Sequence, residues 1–368
     1  MADQRIEKMA DLMVNYSVAV KPGDKVFIRG HILAEPLIRE VNKKVIKAGG
    51  LPFVIPEFPG MEGDMMKYGS ASQIDYIHEP TSILYGKYDC IIYIFAQDNT
   101  HALSNVDPVK IAKATKARAP IFKLYMDRFD RRELRWLITA FPTNALAQDA
   151  DMSLEEYEDF VYGACMPDLT DPVGYWQRFA GKQERLVKWL KGKKNVHLVG
   201  KETDLRFSIE GRVFVNSDCK VNMPDGEIAT GPVEDTMEGH VTFSYPTIYN
   251  NREVMGVQLD FSKGKVIKAV AEKDEKFLLE TLDTDAGSKF VGEFAIGTNE
   301  GIQKFTKQIL FDEKIAGTFH MALGKGYRDT GSIAESAIHW DMISDLHQGQ
   351  IWVDDVLFYE NGKFVIDG

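Results

Sequence analysis

Near the C-terminus, a histidine and an aspartate stand two residues apart within an apolar segment. His339 and Asp341 flank Trp340, and Ile338 and Met342 extend the apolar pattern on either side. Successive side chains of a β-strand point to opposite faces, so His339 and Asp341 would share one face and the apolar residues the other. An imidazole and a carboxylate on one face can bind the same divalent ion. The alternative interpretation is a polar strand end with a hydrogen-bonded histidine.

Other acidic, histidine and tyrosine side chains interrupt the C-terminal half. Glu293 lies inside an apolar run, where burying a lone carboxylate is costly unless a cation accompanies it. Glu227 follows a glycine turn, and His320 opens an apolar strand that leads through a glycine loop to Tyr327. Glu293 and Tyr327 also have ordinary interpretations. Glu293 can lie at a strand end exposed to water, and Tyr327 can be a surface aromatic residue.

The first half of the chain alternates strand and helix patterns, which are the elements that must support such a site. The patterns predict strands at 25–29, 51–55, 89–95 and 120–125, and helices at 34–48 and 107–118. Alternation of this kind predicts a mostly parallel sheet covered by helices. No GxGxxG follows the first strand, so the sequence does not indicate a dinucleotide site.

A change of pattern near residue 192 divides the chain. Before it, helical patterns cover 153–162, opened by a capping box of Ser153 and Glu156, and 171–191. After it, short strands dominate, with hairpins predicted at 263–265 and 360–363. We therefore predict an α/β N-terminal domain at residues 1–192 and, at residues 193–368, a β-rich α+β domain that carries the candidate metal-binding residues.

Composition narrows the classes of protein that fit. The 368 residues carry 55 acidic and 44 basic side chains, a net charge of -11 that disfavours binding to a phosphate backbone. The longest apolar stretch is too short to span a bilayer, and the N-terminus lacks the pattern of a signal peptide. Three dispersed cysteines suit reduced thiols. These features predict a cytoplasmic protein that binds neither nucleic acid nor membrane.

Taken in order, the motifs resemble those of the M29 family of metallo-aminopeptidases, the aminopeptidase T group. The matching segments are Pro224-Asp225-Gly226-Glu227, Gly292-Glu293, Leu310-Phe311-Asp312-Glu313, His320-Met321-Ala322-Leu323-Gly324 with Tyr327, and His339-Trp340-Asp341. The N-terminal half is similar as well, notably at 141–143 and 150–153. The resemblance therefore covers nearly the whole chain.

The resemblance implies a hydrolase that releases N-terminal amino acids from peptides with a free N-terminus. Two divalent ions per chain, zinc, cobalt or manganese, would generate the attacking hydroxide. The implied metal ligands are Glu227, Glu293, Glu313, His320, His339 and Asp341, with Glu293 as the bridging carboxylate. Tyr327 would be a catalytic tyrosine, and Glu227 or Glu313 would transfer the proton. The family also implies a homodimer.

Two departures from the family pattern and two other functions remain open. Extra residues separate Glu313 from His320, and the segment between Tyr327 and His339 is short. Ring-cleaving dihydroxypyridine dioxygenases resemble the same family, and His320, His339 and Asp341 would supply the two histidines and one carboxylate of their single iron. A homologue without catalysis, which binds peptide or metal, is the third interpretation.

Overall fold

The structure, a computed structural model, describes residues 3–250 and 252–366. The chain forms two compact units. The first runs to Tyr175 and also takes in Cys219–Pro224; the second comprises Trp176–Asp218 and the chain from Asp225 onward.

The bounds of the regular elements follow in chain order. The α-helices are α1 Gln4–Leu12, α2 Glu35–Lys47, α3 Met61–Tyr68, α4 Ala71–Asp75, α5 Glu79–Lys87, α6 Pro108–Asp130, α7 Asn144–Asp149, α8 Leu154–Cys165, α9 Pro172–Leu190, α10 Glu275–Leu282 and α11 Ile309–Asp312. The strands are β1 Lys25–His31, β2 Leu51–Glu57, β3 Cys90–Phe95, β4 Arg135–Ala140, β5 Asn195–Gly200, β6 Thr203–Ser208, β7 Val215–Ser217, β8 Asn222–Met223, β9 Glu227–Thr230, β10 Glu238–Thr242, β11 Thr247–Tyr249, β12 Arg252–Val254, β13 Gln258–Ser262, β14 Lys265–Val270, β15 Val291–Gly297, β16 Thr318–Gly324, β17 His339–Asp345, β18 Gln350–Val353, β19 Val356–Glu360 and β20 Lys363–Phe364. Short turns of π-helix (Met13–Ser17) and 3₁₀-helix (Ile32–Ala34 and Arg328–Thr330) accompany them.

The first unit contains a parallel sheet with strand order β2-β1-β3-β4-β8. The central strand β3 is a nearly continuous apolar run, as expected for a strand buried on both faces. Helix α2 buries Leu37, Ile38, Val41 and Val45, one apolar stripe at helical spacing. The predicted parallel sheet with covering helices is confirmed.

The strand predicted at 120–125 is wrong. These residues belong to α6, and the next strand of the sheet is β4. Tyr125 and Phe129, four residues apart on the helix, both contact the ring of Trp136, at centroid distances of 6.0 and 6.2 Å. The i, i+4 spacing places both rings on one helix face, and the helix continues through Pro120, which has no N–H to donate.

The second unit is built from two larger antiparallel sheets. One has eight strands in the order β14-β13-β10-β6-β5-β18-β19-β20, and the other has five in the order β17-β16-β15-β9-β7. Apolar side chains from both sheets form a single core; Phe207 of the larger sheet and Phe294 of the smaller have ring centroids 5.0 Å apart. The predicted β-rich C-terminal half is confirmed, including the hairpins at Ser262/Lys265 and Glu360/Lys363.

The division between the units differs from the one at 192/193 proposed from sequence. Most of α9 belongs to the second unit, because Leu186 and Leu190 on this helix join the core of the β-rich half. Residues 219–224 return to the first unit, since β8 adds to the edge of the parallel sheet beside β4. The capping box of Ser153 and Glu156 is present as predicted at the start of α8.

No helix in the described part of the chain combines the length and the apolar character needed to span a bilayer.

Candidate metal centre

The residues singled out in the sequence all lie in the second unit, on or beside its five-stranded sheet. Glu227 begins β9, Glu293 lies in β15, His320 in β16, and His339 and Asp341 in β17. Glu313 follows the last residue of the short helix α11. Tyr327 immediately precedes the 3₁₀ turn at Arg328–Thr330.

Strand alternation sorts these side chains from the core. Phe294, Met321, Trp340 and Met342 pack into the core between the two large sheets. Their neighbours along the strands therefore point to the opposite face, as the pattern around His339 predicted. These neighbours include Glu293, His320, His339 and Asp341.

The register then brings the polar side chains together on that face. Glu293 and Asp341 both pair with Ala322 of the intervening strand, and His320 pairs with Ala295. Because Ala295 and Ala322 are small, they leave room on this face for the longer side chains beside them.

Backbone carbonyl groups fix the orientation of both histidine rings. Nδ1 of His320 lies 3.0 Å from the carbonyl oxygen of Glu313, and Nδ1 of His339 lies 2.8 Å from that of Lys325. A carbonyl oxygen only accepts hydrogen bonds, so each Nδ1 must carry the proton and donate it. In a neutral ring this leaves the lone pair on Nε2, the arrangement typical of metal-binding histidines.

Each Nε2 atom faces carboxylate oxygens at distances longer than a good hydrogen bond. Nε2 of His339 lies 3.3 Å from Glu293 Oε2 and 3.5 Å from Asp341 Oδ1. Nε2 of His320 lies 3.6 Å from Glu227 Oε2. Such spacing suits a shared cation between the groups better than direct hydrogen bonding.

Two adjoining groups of possible ligands emerge among the described residues. Glu293, His339 and Asp341 form one, and Glu313, His320 and Asp341 form the other. The ligand atoms within each group lie within 4.8 Å of one another. Asp341 belongs to both groups. The extra residues between Glu313 and His320 therefore do not separate these two side chains in space.

The electrostatics of this cluster call for a cation. Oε2 of Glu227 and Oδ1 of Asp341 are buried and make no hydrogen bond. Burial raises the pKa of Glu227 well above its usual value, reinforced by the charges of Glu313 and Glu293 and opposed by Lys314. Burial lowers the pKa of His339, but Asp341 and Glu293 outweigh it and raise that pKa well above its usual value. Both pKa shifts reflect a negative electrostatic potential in the cluster. Divalent ions would neutralise this potential, so the residues fit a metal site.

A buried lysine, which the sequence patterns did not reveal, lies in the same cluster. Lys314 has a fully buried side chain, and its ammonium donates to the carboxylate of Glu313. Burial lowers its pKa, but Glu313, Glu227 and Asp225 raise it above the usual value overall, so the side chain stays charged. No local sequence pattern marks this lysine as buried.

Tyr327 lies at the accessible edge of the cluster. Its ring is T-shaped to that of His339 at a centroid distance of 5.2 Å, and the residue is 43% exposed. Burial of part of the side chain and the carboxylates of Glu293 and Asp341 raise the pKa of Tyr327 well above its usual value. The phenol therefore keeps its proton and can act as a hydrogen-bond donor.

A hydrogen-bonded pair behind the sheet holds β17 in place. Nε1 of the buried Trp340 donates to Thr247 Oγ1 at 2.7 Å, and Thr247 Oγ1 donates to the carbonyl of Asp341 at 2.6 Å. The backbone that carries Asp341 is thereby tied to the core.

Two such groups of possible ligands on one sheet are typical of a metalloenzyme. The chain matches the family described as thermophilic metalloprotease (M29) over residues 2–364. It belongs to this M29 peptidase family.

Curated relatives agree with that assignment, and a solved structure shares the fold. Aminopeptidase 2 of Geobacillus stearothermophilus is 28% identical over 352 residues, covering 88% of this chain and 84% of the relative. Aminopeptidase T of Thermus thermophilus is 24% identical, covering 89% and 86%. The structure of AmpT from Thermus thermophilus superposes with a TM-score of 0.87 at 21% identity, over 99% of both chains.

The fold is also shared with an oxygenase. A 2,5-dihydroxypyridine dioxygenase from Pseudomonas putida superposes with a TM-score of 0.59 at 13% identity, over 98% of this chain and 96% of the other. At this identity the match concerns the fold alone, so the chemistry has to be argued from the site.

Proposed function

We propose that the protein is a metallo-aminopeptidase that releases N-terminal amino acids from peptides through two divalent ions, zinc, cobalt or manganese. The observation that carries the proposal is the pair of ligand groups that share Asp341, with Nε2 of each histidine turned towards carboxylates. Family membership and the aminopeptidase relatives support the same reaction. The proposed ligands are Glu227, Glu293, Glu313, His320, His339 and Asp341.

The two positions would be held by different side chains. Glu293 and His339 would hold one ion, and Glu313 and His320 the other, with Asp341 contributing to both. Glu227, beside Nε2 of His320, would complete the second position. The bridging role of Glu293, which the family resemblance implies, would add a second carboxylate between the ions.

The ions would act as Lewis acids that polarise the scissile carbonyl and lower the pKa of a water molecule towards neutrality. Glu227 is our choice for the proton transfer, because its Oε2 makes no hydrogen bond, whereas Glu313 is held by Lys314. Glu227 would accept the proton and pass it to the leaving amine.

Tyr327 would stabilise the negative charge that develops on the carbonyl oxygen. Its hydroxyl stays protonated, and its ring lies against that of His339 at the accessible edge of the cluster. A hydrogen bond donated there would be stronger in the transition state than in the bound substrate.

Preference for a free N-terminus would follow from the metal positions. One of them would also hold the α-amine of the peptide, whose nitrogen lone pair suits a divalent ion. Acetylation turns that amine into an amide, so an N-acetylated peptide would bind poorly.

Two peptides and one variant test the proposal. The purified protein should shorten a leucine-initiated peptide from its N-terminus and leave the N-acetylated form intact, as followed by mass spectrometry. Glu293→Gln should abolish this release while the protein remains folded by circular dichroism. Cleavage of both peptides at internal bonds, or full activity of the variant, would contradict the proposal.

The dioxygenase alternative fits the geometry less well. A single iron with two histidines and one carboxylate needs His320 and His339 around the same ion. In the described residues the two histidines fall in separate groups, each with further carboxylates. A single iron would not need Glu227, Glu293 and Glu313.

A homodimer and a cytoplasmic location complete the proposal. The family resemblance implies the dimer, and light scattering on the purified protein tests it. The cytoplasmic assignment rests on three dispersed, buried cysteines, and fractionation of cells tests it.

A further inference from the structure

Lys314 is a built-in cation within a cluster of carboxylates, and the proposed reaction does not use it. Its side chain has no exposed surface, and burying an ammonium is costly unless anions surround it. Glu313 accepts a hydrogen bond from it, and Glu227, Asp225 and Asp341 also experience its charge.

The backbone on both sides holds Lys314 in this position. Its N–H donates to the carbonyl of Phe311, and its own carbonyl accepts from Asn299 N, both at 3.0 Å. The turn passes directly over Gly297, where an added Cβ would lie 3.0 Å from the Lys314 carbonyl carbon. Gly297 pairs across the sheet with Glu227, so the lysine is anchored beside that residue.

The charge acts unequally on the two ligand groups. The lysine bonds directly to Glu313, a member of the Glu313–His320–Asp341 group. Among the described residues, no lysine or arginine pairs with the Glu293–His339–Asp341 group, whose ion pairs lie within the group itself. A divalent ion at the Glu313–His320–Asp341 group must compete with the ammonium for Glu313 and is repelled by it.

We infer that Lys314 makes the two metal positions unequal, so that Glu293–His339–Asp341 binds its ion tightly and Glu313–His320–Asp341 binds its ion weakly. This inference rests on the proposed two-metal function. Because Lys314 neutralises part of the weak position, the chain remains stable with one ion bound. Turnover then depends on filling the weak position, and the supply of the metal sets the activity.

Titration of the metal-free protein with Co²⁺, followed by visible absorption and calorimetry, tests the inference. The wild type should bind in two steps whose dissociation constants differ by at least about tenfold. Lys314→Met should tighten the second step by about tenfold or more and change the first step much less. Lys314→Arg keeps the charge and should keep the difference between the two dissociation constants. Lys307→Met, at an exposed lysine that pairs with Glu253, serves as the control.

The outcomes separate this inference from the proposed function. Equal steps in the wild type would overturn the inference even if Lys314→Met failed to fold. The inference would also be overturned if folded Lys314→Met kept the wild-type difference between the two dissociation constants, or if it no longer bound the second ion. In either case the lysine would only orient Glu313. Absence of Co²⁺ binding to the wild type would reject the metal site itself and, with it, the inference.

Discussion

Glu293 and Asp341 stand in one row across the sheet, each paired with Ala322 of the strand between them. Side chains of neighbouring strands in register lie on the same face about 4.5–5.5 Å apart, so the two carboxylates rise on either side of a methyl group. The small residue between them is as much a part of the candidate site as the ligands.

Enlarging that residue should therefore disable the site. In Ala322→Leu, the added atoms would enter the space between Glu293 and Asp341, and we expect metal content to fall well below that of the wild type. Overpacking should also lower the free energy of unfolding by about 1–3 kcal/mol. Metal analysis after gel filtration and urea denaturation measure the two effects. Ala337→Leu, the same change at an exposed position two residues before His339, should alter neither.

Asp341 should be the ligand whose loss affects both ions, because it belongs to both groups. Asp341→Asn removes a charge with little change of shape, and we expect both ions to be lost. The specificity constant kcat/KM should fall by at least about a thousandfold, the scale expected when metal-assisted catalysis is removed. Asp345→Asn lies on the same strand, pairs with His347 and provides the control. Retention of one firmly bound ion by Asp341→Asn would show that the residue serves only one position.

Gly297 should be required for the turn that carries Glu313 and Lys314. A Cβ at Gly297 would lie 2.2 Å from the carbonyl oxygen of Ile315, so Gly297→Ala must displace the turn. We expect a loss of about 1–3 kcal/mol in unfolding free energy and weaker binding of one ion, with the ion at His339 retained. Calorimetric metal titration and chemical denaturation measure both. Gly181→Ala, on α9 with nothing within 4 Å of the added Cβ, should be neutral or slightly stabilising. If Gly297→Ala weakened the binding of both ions equally, the effect would not be confined to the turn that carries Glu313 and Lys314.

Tyr327 should act on turnover and not on metal binding. Tyr327→Phe removes only the hydroxyl, so metal content should stay at the wild-type level. If the hydroxyl donates to the developing oxyanion, kcat should fall by about 10²–10³ with little change in KM. Steady-state kinetics on a leucine-initiated peptide gives both constants. The exposed Tyr68→Phe provides the matched control. A rise in KM with unchanged kcat would assign Tyr327 to substrate binding instead.

The strands that carry the candidate ligands were predictable because alternation is a local property. The apolar residues around His339 and Asp341 had to face one way, and Trp340 and Met342 do enter the core. The hairpins were predictable for the same reason, since their turns are set by two or three residues.

The prediction that failed, and the strand pairing that was not predicted, depended on tertiary contacts. The segment 120–125 is short and apolar, and such a run cannot be told from a helix by its pattern alone. The packing of Tyr125 and Phe129 against Trp136 decides in favour of the helix. Likewise, the pairing of β5 with β18 joins residues more than 150 positions apart.

Lys314 escaped notice because nothing local marks it as buried. A lysine after Glu313 reads as an ordinary surface pair, and only the approach of Gly297 and Asn299 encloses it. The sharing of Asp341 between two ligand groups is also a consequence of register, which the sequence does not show.

The proposed release of N-terminal residues depends on a site for two divalent ions. Metal content per chain tests this site most directly. The protein should be purified without added chelator, analysed for all transition metals, and assayed on leucine p-nitroanilide before and after chelation. We expect about two ions of zinc, cobalt or manganese per chain and release of p-nitroaniline that chelation abolishes and metal restores. One iron per chain with no hydrolysis would contradict the proposed function and favour the oxygenase.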